Sequence, residues 1–167
     1  MGHSQNMIWR DDFVEQLPLL GHRNWVVIAD AAFPQQCSTG MKMLYADAPL
    51  MDVATDVLTI IKQAKHIRSR IMTDLELDAL DDVLCPGVES LRRDLDRLVA
   101  GHGGRLPVLH EDILKQMSEV GKTYTILMIK TPMTIPYTSV FIDLQCGYWT
   151  DSAEAQLRAR IVPAHRR

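Results

Sequence analysis

Aromatic residues are scarce in this chain of 167 residues, with 3 Phe, 4 Tyr and 3 Trp, and there are only 3 cysteines. Cys37, Cys85 and Cys146 lack Cys-x-x-Cys spacing, which argues against both a disulfide framework and a zinc site and suits a reducing compartment. No apolar run approaches the length that spans a bilayer, and no signal-like apolar stretch precedes Asp11-Asp12, so the expected location is the cytoplasm. Neither sign of charge dominates: 18 Lys and Arg face 21 Asp and Glu, a net charge of -3. That balance offers no general attraction to nucleic acid or to an anionic membrane, and neither is expected as a partner. The basic exception, Arg158 and Arg160 with His165-Arg166-Arg167, reads as a solvated tail. A phosphate loop is missing too, because Gly101-His102-Gly103-Gly104 lacks the Lys-Ser/Thr ending. His22, His66, His102 and His110 show no paired ligand spacing, so no metal and no cofactor is expected.

What remains is an ordinary globular composition, 47% hydrophobic and 23% charged, enough for one domain with a sizeable core. The organising stretch begins at Gly21-His22-Arg23-Asn24. A histidine stands at the entrance to the apolar run Trp25-Val26-Val27-Ile28, Asp30 stands at its exit, and Phe33-Pro34 breaks the chain just beyond. The run is short, aromatic and β-branched, which reads as a buried strand of the kind found in parallel sheets covered on both faces. Asp30 then lies at the strand's carboxyl end, the edge at which open α/β sheets bind ligands. The alternative is that Asp30 caps a turn and His22 closes the preceding helix. Residues 35–40 leave the same edge and read as the wall or lid of a site.

On either side the pattern alternates between helix and strand. Phe13, Leu17 and Leu20 form a helical face opening at Asp11-Asp12 and ending at Gly21, shortened or kinked by Pro18. Leu50, Val53, Ala54, Val57, Leu58 and Ile61 recur at helical spacing and make the clearest amphipathic helix. Arg70-Ile71-Met72-Thr73 is a short candidate strand. Residues 88–100 and 111–120 read as helices stopped by Gly101 and Gly121, and residues 124–129 and 140–144 as strands. Pro132 and Pro136 bar the connector between those strands from a central position. Interleaved strands and helices point to one α/β layer domain. The expected boundaries are an N-terminal segment 1–10, in which Gly2-His3-Ser4 reads as an expression remnant, a domain 11–149 and a C-terminal extension 150–167.

His22, Asp30, His110 and Tyr137 each fall beside a predicted strand end or loop, and they are acid/base groups. Cys37 with His22 as its base would make a small hydrolase, but no Gly-x-Cys-x-Gly elbow surrounds it.

Gly21-His22 followed by a strand ending Ala29-Asp30-Ala31-x-Phe33-Pro34 resembles the D-ribose pyranase / L-fucose mutarotase family. His110-Glu111-Asp112-Ile113-Leu114-Lys115 and Pro136-Tyr137-Thr138-Ser139-Val140-Phe141-Ile142 add to the resemblance. It implies a single-domain three-layer α/β/α fold with a largely parallel central sheet. It also implies an isomerase that interconverts anomers or ring forms of a free ribose- or fucose-type aldose without a cofactor. His22 would be the proton donor, with Asp30, His110, Tyr137 and Ser139 binding the monosaccharide. The family forms closed homo-oligomeric rings, commonly decamers, with sugar sites near subunit contacts, and Tyr148 and Trp149 suit such an interface. Two positions depart from the family pattern: Asn24 stands where it has Asp, and Ser139 where it has Asn. Loss of the carboxylate at 24 removes a charge that would favour protonated His22. A non-catalytic sugar-binding or assembly protein on the same scaffold is therefore the alternative.

Overall fold

In the computed structural model, which describes residues 2–164, the first strand β1 (Trp25–Ala29) is buried at every position. Its alternating side chains divide between two cores: Val26 and Ile28 enter one, Trp25, Val27 and Ala29 the other. The larger core lies under α1 (Gly2–Gln16), α2 (Leu50–Gln63) and α4 (Val88–Ala100), which contribute Phe13, Leu58 and Leu95 among others. The smaller one lies under α5 (His110–Val120), through Ile113 and Met117. Helices thus cover both faces of a central sheet, giving three layers. All six apolar positions expected on α2 are buried. At ~1.5–3 kcal/mol per fully buried aliphatic side chain, that stripe outweighs the few tenths lost to β-branched residues in a helix.

The six-stranded sheet has the order β2-β5-β1-β6-β3-β4, where β2 is Met41–Tyr45, β3 Ile67–Asp74, β4 Arg105–Val108, β5 Ile126–Lys130 and β6 Val140–Cys146. β1 pairs in parallel with β5, β5 with β2, and β3 with β4, while β6 runs antiparallel to both β1 and β3. Every strand except β6 therefore ends at the same edge, and β6 begins there. Among the described residues no helix is long and apolar enough to cross a membrane.

Several boundaries differ from expectation. The first helix begins well before Asp11, and Trp9 is only 3% exposed in the larger core. Pro18 falls in a 3-10 turn, Leu17–Leu19, at an early position where its missing N–H costs nothing. β2 and β4 were not anticipated, because edge strands are exposed on one side and carry weak patterns. Pro107 in β4 suits an edge, which needs no donor on its open side. Thr150 onward is no loose tail but a helix, α6 (Asp151–Ala164), which carries Arg158 and Arg160 on its exposed surface. His165, Arg166 and Arg167 lie outside the described residues.

Gly147, just past β6, donates its N–H to the His66 carbonyl at 2.9 Å. A Cβ there would meet the Lys65 carbonyl oxygen at 2.6 Å and the Ile67 nitrogen at 2.7 Å, both backbone atoms with little freedom to yield. Gly147→Ala is expected to destabilise the domain by about 1–3 kcal/mol, the usual range for overpacking, measured by chemical denaturation. Unchanged stability would show that the turn after β6 tolerates a shift.

Candidate functional site

Where the strands terminate together, their polar end residues converge. Asp30 follows β1, Asp74 ends β3, His110 opens α5 directly after β4, and residues 131–139 link β5 to β6. They enclose a cavity of about 370 Å³ whose lining includes Asp30, Phe33, Asp74, His110, Met133 and Tyr137. That size falls in the range of small-molecule sites.

Asp30 and His110 are each held by specific partners. The Asp30 carboxylate accepts the Ala32 N–H at 3.0 Å through Oδ1 and the Ser139 hydroxyl at 2.9 Å through Oδ2. The Asp30 N–H in turn donates to Ser139 Oγ at 3.1 Å. Ser139 is buried behind Asp30, so its hydroxyl aligns that carboxylate and is not part of the cavity lining. At the helix start the His110 N–H donates to the Glu76 carboxylate at 3.0 and 3.2 Å, and His110 Nδ1 lies 3.0 Å from Asp74 Oδ1. Glu76 belongs to the short helix α3 (Glu76–Ala79). Tyr137 meets the His110 ring edge-on, with centroids 5.5 Å apart at 86°. Its backbone is left-handed, φ 58°, a conformation that costs a non-glycine residue roughly 1 kcal/mol or more. The Thr138 hydroxyl, donating to the Ile135 carbonyl at 2.7 Å, braces that turn.

The cavity is acidic. Asp30 and Asp74 line it, Glu76 sits beside it, and no lysine or arginine appears among the lining residues. Burial raises the Asp74 carboxyl above the ordinary carboxylate range; the hydrogen bond and charge of His110 oppose this, and the charges of Glu76 and Asp30 reinforce it. Asp74 Oδ2 has no hydrogen-bond partner among the described residues.

Of the expected site residues, Asp30, His110 and Tyr137 come together at this edge, with Ser139 behind them. His22 does not. It precedes β1 while Asp30 follows it, so the two sit at opposite edges of the sheet, roughly 20 Å apart at a strand's rise per residue. His22 lines a second cleft of about 600 Å³ together with Arg70, Lys115, Tyr124 and Asp143. Asn24 is a staple for the turn before β1: its side chain accepts the Gly21 N–H at 2.7 Å and donates to the Thr125 carbonyl at 3.1 Å. A carboxylate does face His22, but it comes from β6. Asp143, 3.0 Å from Arg70, is raised by burial and lowered by the charges of Arg70 and His22.

Residues 35–40 contribute nothing to the lining of the first cavity, whose wall is built by residues 31–34 and 133–137. Cys37 is exposed and lines neither cleft. Among the described residues no group of three His, Cys, Asp or Glu side chains is placed to hold a metal ion. Asp74 and Glu76 were missed. The available signal was the one that marked Asp30, a carboxylate at the exit of an apolar run, here after Ile71-Met72-Thr73; reading the strand as ending at Thr73 hid it.

No family model and no curated protein matches the chain. Solved structures do. RbsD from Bacillus subtilis complexed with D-ribose is 20% identical, with a TM-score of 0.58 over 83% of this chain and 93% of that one. The fucose mutarotase from Streptococcus pneumoniae in complex with L-fucose is 17% identical, with a TM-score of 0.56 over 80% and 91%. FucU from Bifidobacterium longum is 15% identical, with a TM-score of 0.53 over 81% and 92%. The chain therefore has the RbsD-like α/β fold expected from the sequence.

The folded chain binds the Asp74 proton more tightly than the unfolded chain does. This carboxyl therefore favours the folded state at low pH and loses that contribution as pH rises from about 3.9, the ordinary value, through its raised folded value. Asp74→Asn, which stays neutral, is expected to flatten the stability profile across that acidic window in melting experiments run against pH. A parent-like profile in Asp74→Asn would mean that the Asp74 charge is not penalised in the fold.

Proposed function

We propose that this protein binds a free monosaccharide at the acidic strand-end cavity and interconverts its anomers or ring forms as a mutarotase or pyranase-type isomerase. The observation that carries this reading is the polarity of the cavity. Asp30, His110 and Tyr137 offer several acceptors and few donors in front of the buried Asp74, with no cationic side chain among the lining residues. Such a site suits a neutral polyhydroxyl ligand, whose hydroxyls donate to carboxylates, and disfavours phosphorylated or carboxylated sugars, which would meet like charge. The Phe33 and Met133 side chains supply apolar surface for the sugar's C–H face. Solved structures of this fold hold D-ribose and L-fucose, which supports the ligand class.

Ring opening needs a proton removed from the anomeric hydroxyl and one delivered to the ring oxygen, work for two positioned weak acid/base groups worth ~10²–10⁴-fold each. His22 is the second group in this reading. Since it lies at the far edge of its own sheet, it reaches a cavity only when a neighbouring copy in a homo-oligomer brings its His22 cleft against the strand-end edge. A heterologous contact of this kind closes into a ring where the rotation between copies completes a full turn. The separation of His22 from Asp30 also favours the second reading, in which the chain binds sugar without turning it over.

Magnetisation-exchange NMR on free ribose and fucose separates the two. His22→Gln and Asp30→Asn are each expected to abolish exchange, and co-assembled mixtures of the two to recover roughly a quarter of it by random assortment. No recovery in mixed assemblies, or a monomer by light scattering at micromolar concentration, would sink the shared site. Sugar binding without exchange in the parent would establish the binding-protein reading instead. Tyr137→Phe, which removes only a hydroxyl, is expected to weaken sugar affinity or turnover without altering the melting temperature, and an unchanged rate and affinity would place Tyr137 outside the contact.

A further inference from the structure

Asp74 is the most deeply buried of the charged side chains at the cavity, 1% exposed, yet it has a hydrogen-bond partner on one oxygen only. That partner is the His110 ring. A buried carboxylate with a single partner is costly, and residues kept in that state commonly serve a neighbour's protonation chemistry. His110 is itself fixed from two further sides: its backbone N–H is held by Glu76, and Tyr137 stands edge-on to its ring. The groups facing Asp74 are thus His110 from α5, Glu76 from α3 and Asp30 from the β1 exit.

We propose that Asp74 and His110 form a proton-transfer dyad, in which Asp74 holds the His110 imidazole as its Nδ1–H tautomer and leaves Nε2 as the base that deprotonates the ligand's anomeric hydroxyl. This rests on the sugar-isomerase reading above, and gives His110 a chemical role beyond orienting hydroxyls. Nδ1 lies 3.0 Å from an oxygen that can only accept while the carboxylate is charged, so the ring proton belongs on Nδ1. In the forward step the anomeric O–H proton passes to Nε2. Its bonding pair forms the C1=O double bond as the C1–ring-oxygen bond breaks. The ring oxygen keeps that second pair and takes a proton from the acid, His22 of a neighbouring copy. Closure on the other face of C1 returns both protons. While Nε2 carries the extra proton, the imidazolium is balanced by the Asp74 carboxylate, the arrangement by which a buried aspartate supports a histidine base. Asp74 touches no reacting atom in this scheme and is a positioning residue.

The test uses the full-length protein labelled with ¹⁵N at its histidines. Long-range ¹H–¹⁵N correlation reports which ring nitrogen is protonated, and His110→Gln identifies the His110 signal among the 6 histidines. The neutral His110 ring is expected as the Nδ1–H tautomer in the parent. In Asp74→Asn it is expected to shift toward Nε2–H, because the amide can donate to Nδ1. Asp74→Asn should also slow sugar exchange by roughly 10²-fold while changing sugar affinity by no more than about threefold, a split that simple loss of packing would not produce. An Nε2–H tautomer in the parent, or an Asp74→Asn protein with the parent's exchange rate, would overturn the dyad. If the parent shows the Nδ1–H tautomer but exchanges no sugar, Asp74 orients a binding histidine only, and both the base role and the isomerase reading fall. Exchange in the parent with the wrong tautomer sinks the dyad alone.

Discussion

A central strand covered by helices on both faces has little room for polar side chains along its length, and this constraint shapes the middle of the sheet. β1 and β5 are buried almost throughout, so hydrogen-bonding and titratable groups are pushed to strand ends. Because every strand but β6 runs the same way, the ends that carry Asp30, Asp74 and His110 all arrive at one edge. The reversed strand β6 starts there and adds Ser139 at its mouth. The cavity follows from strand direction, and its chemistry from which residues happen to terminate those strands.

The same geometry creates a second polar cluster at the opposite edge, where β1 begins and β6 ends. There His22 shares a cleft with Arg70, Lys115, Tyr124 and Asp143, a mixed-charge surface unlike the acidic cavity. A carboxylate absent from position 24 is replaced in space by Asp143, across the β1–β6 pairing at Trp25. The charge environment of His22 is thus supplied by the sheet and not by its neighbours in sequence. One edge is acidic and the other richer in cations, so two copies placed edge to edge would meet with complementary fields.

The terminal helix α6 is attached at its start. Arg68 holds Asp151 at 2.8 Å, and the Trp149 indole donates to Glu154 at 2.8 Å. That indole and Arg158 hold the Glu154 carboxyl below its ordinary value. These contacts are exposed and individually weak. Leu157 and Ile161 remain partly open to solvent, so α6 adds little to the core formed by the preceding elements.

By itself the sequence determined the layers and named three of the residues that line the strand-end cavity, Asp30, His110 and Tyr137. The period of Leu50 through Ile61 marks a helix, the unbroken run from Trp25 marks a strand buried on both sides, and a carboxylate at that strand's exit marks the edge at which the cavity opens, because each signal is local to one element. Local patterns also sufficed for Tyr137 and His110, which sit beside a proline-stiffened loop and a helix start. The edge strands β2 and β4 escaped notice, since half-exposed strands lose the apolar regularity that betrays a buried one. Polar Thr73 interrupts the apolar run before Asp74 and so masks the true end of β3 in the sequence. What only the tertiary structure decided was partnership: that Asp74 reaches His110 from 36 residues away, that Ser139 serves Asp30, and that His22 and Asp30, eight positions apart in one motif, face opposite edges. The reason is physical. An extended strand carries its two ends as far apart as the chain allows, while a sheet brings together ends that are distant in sequence.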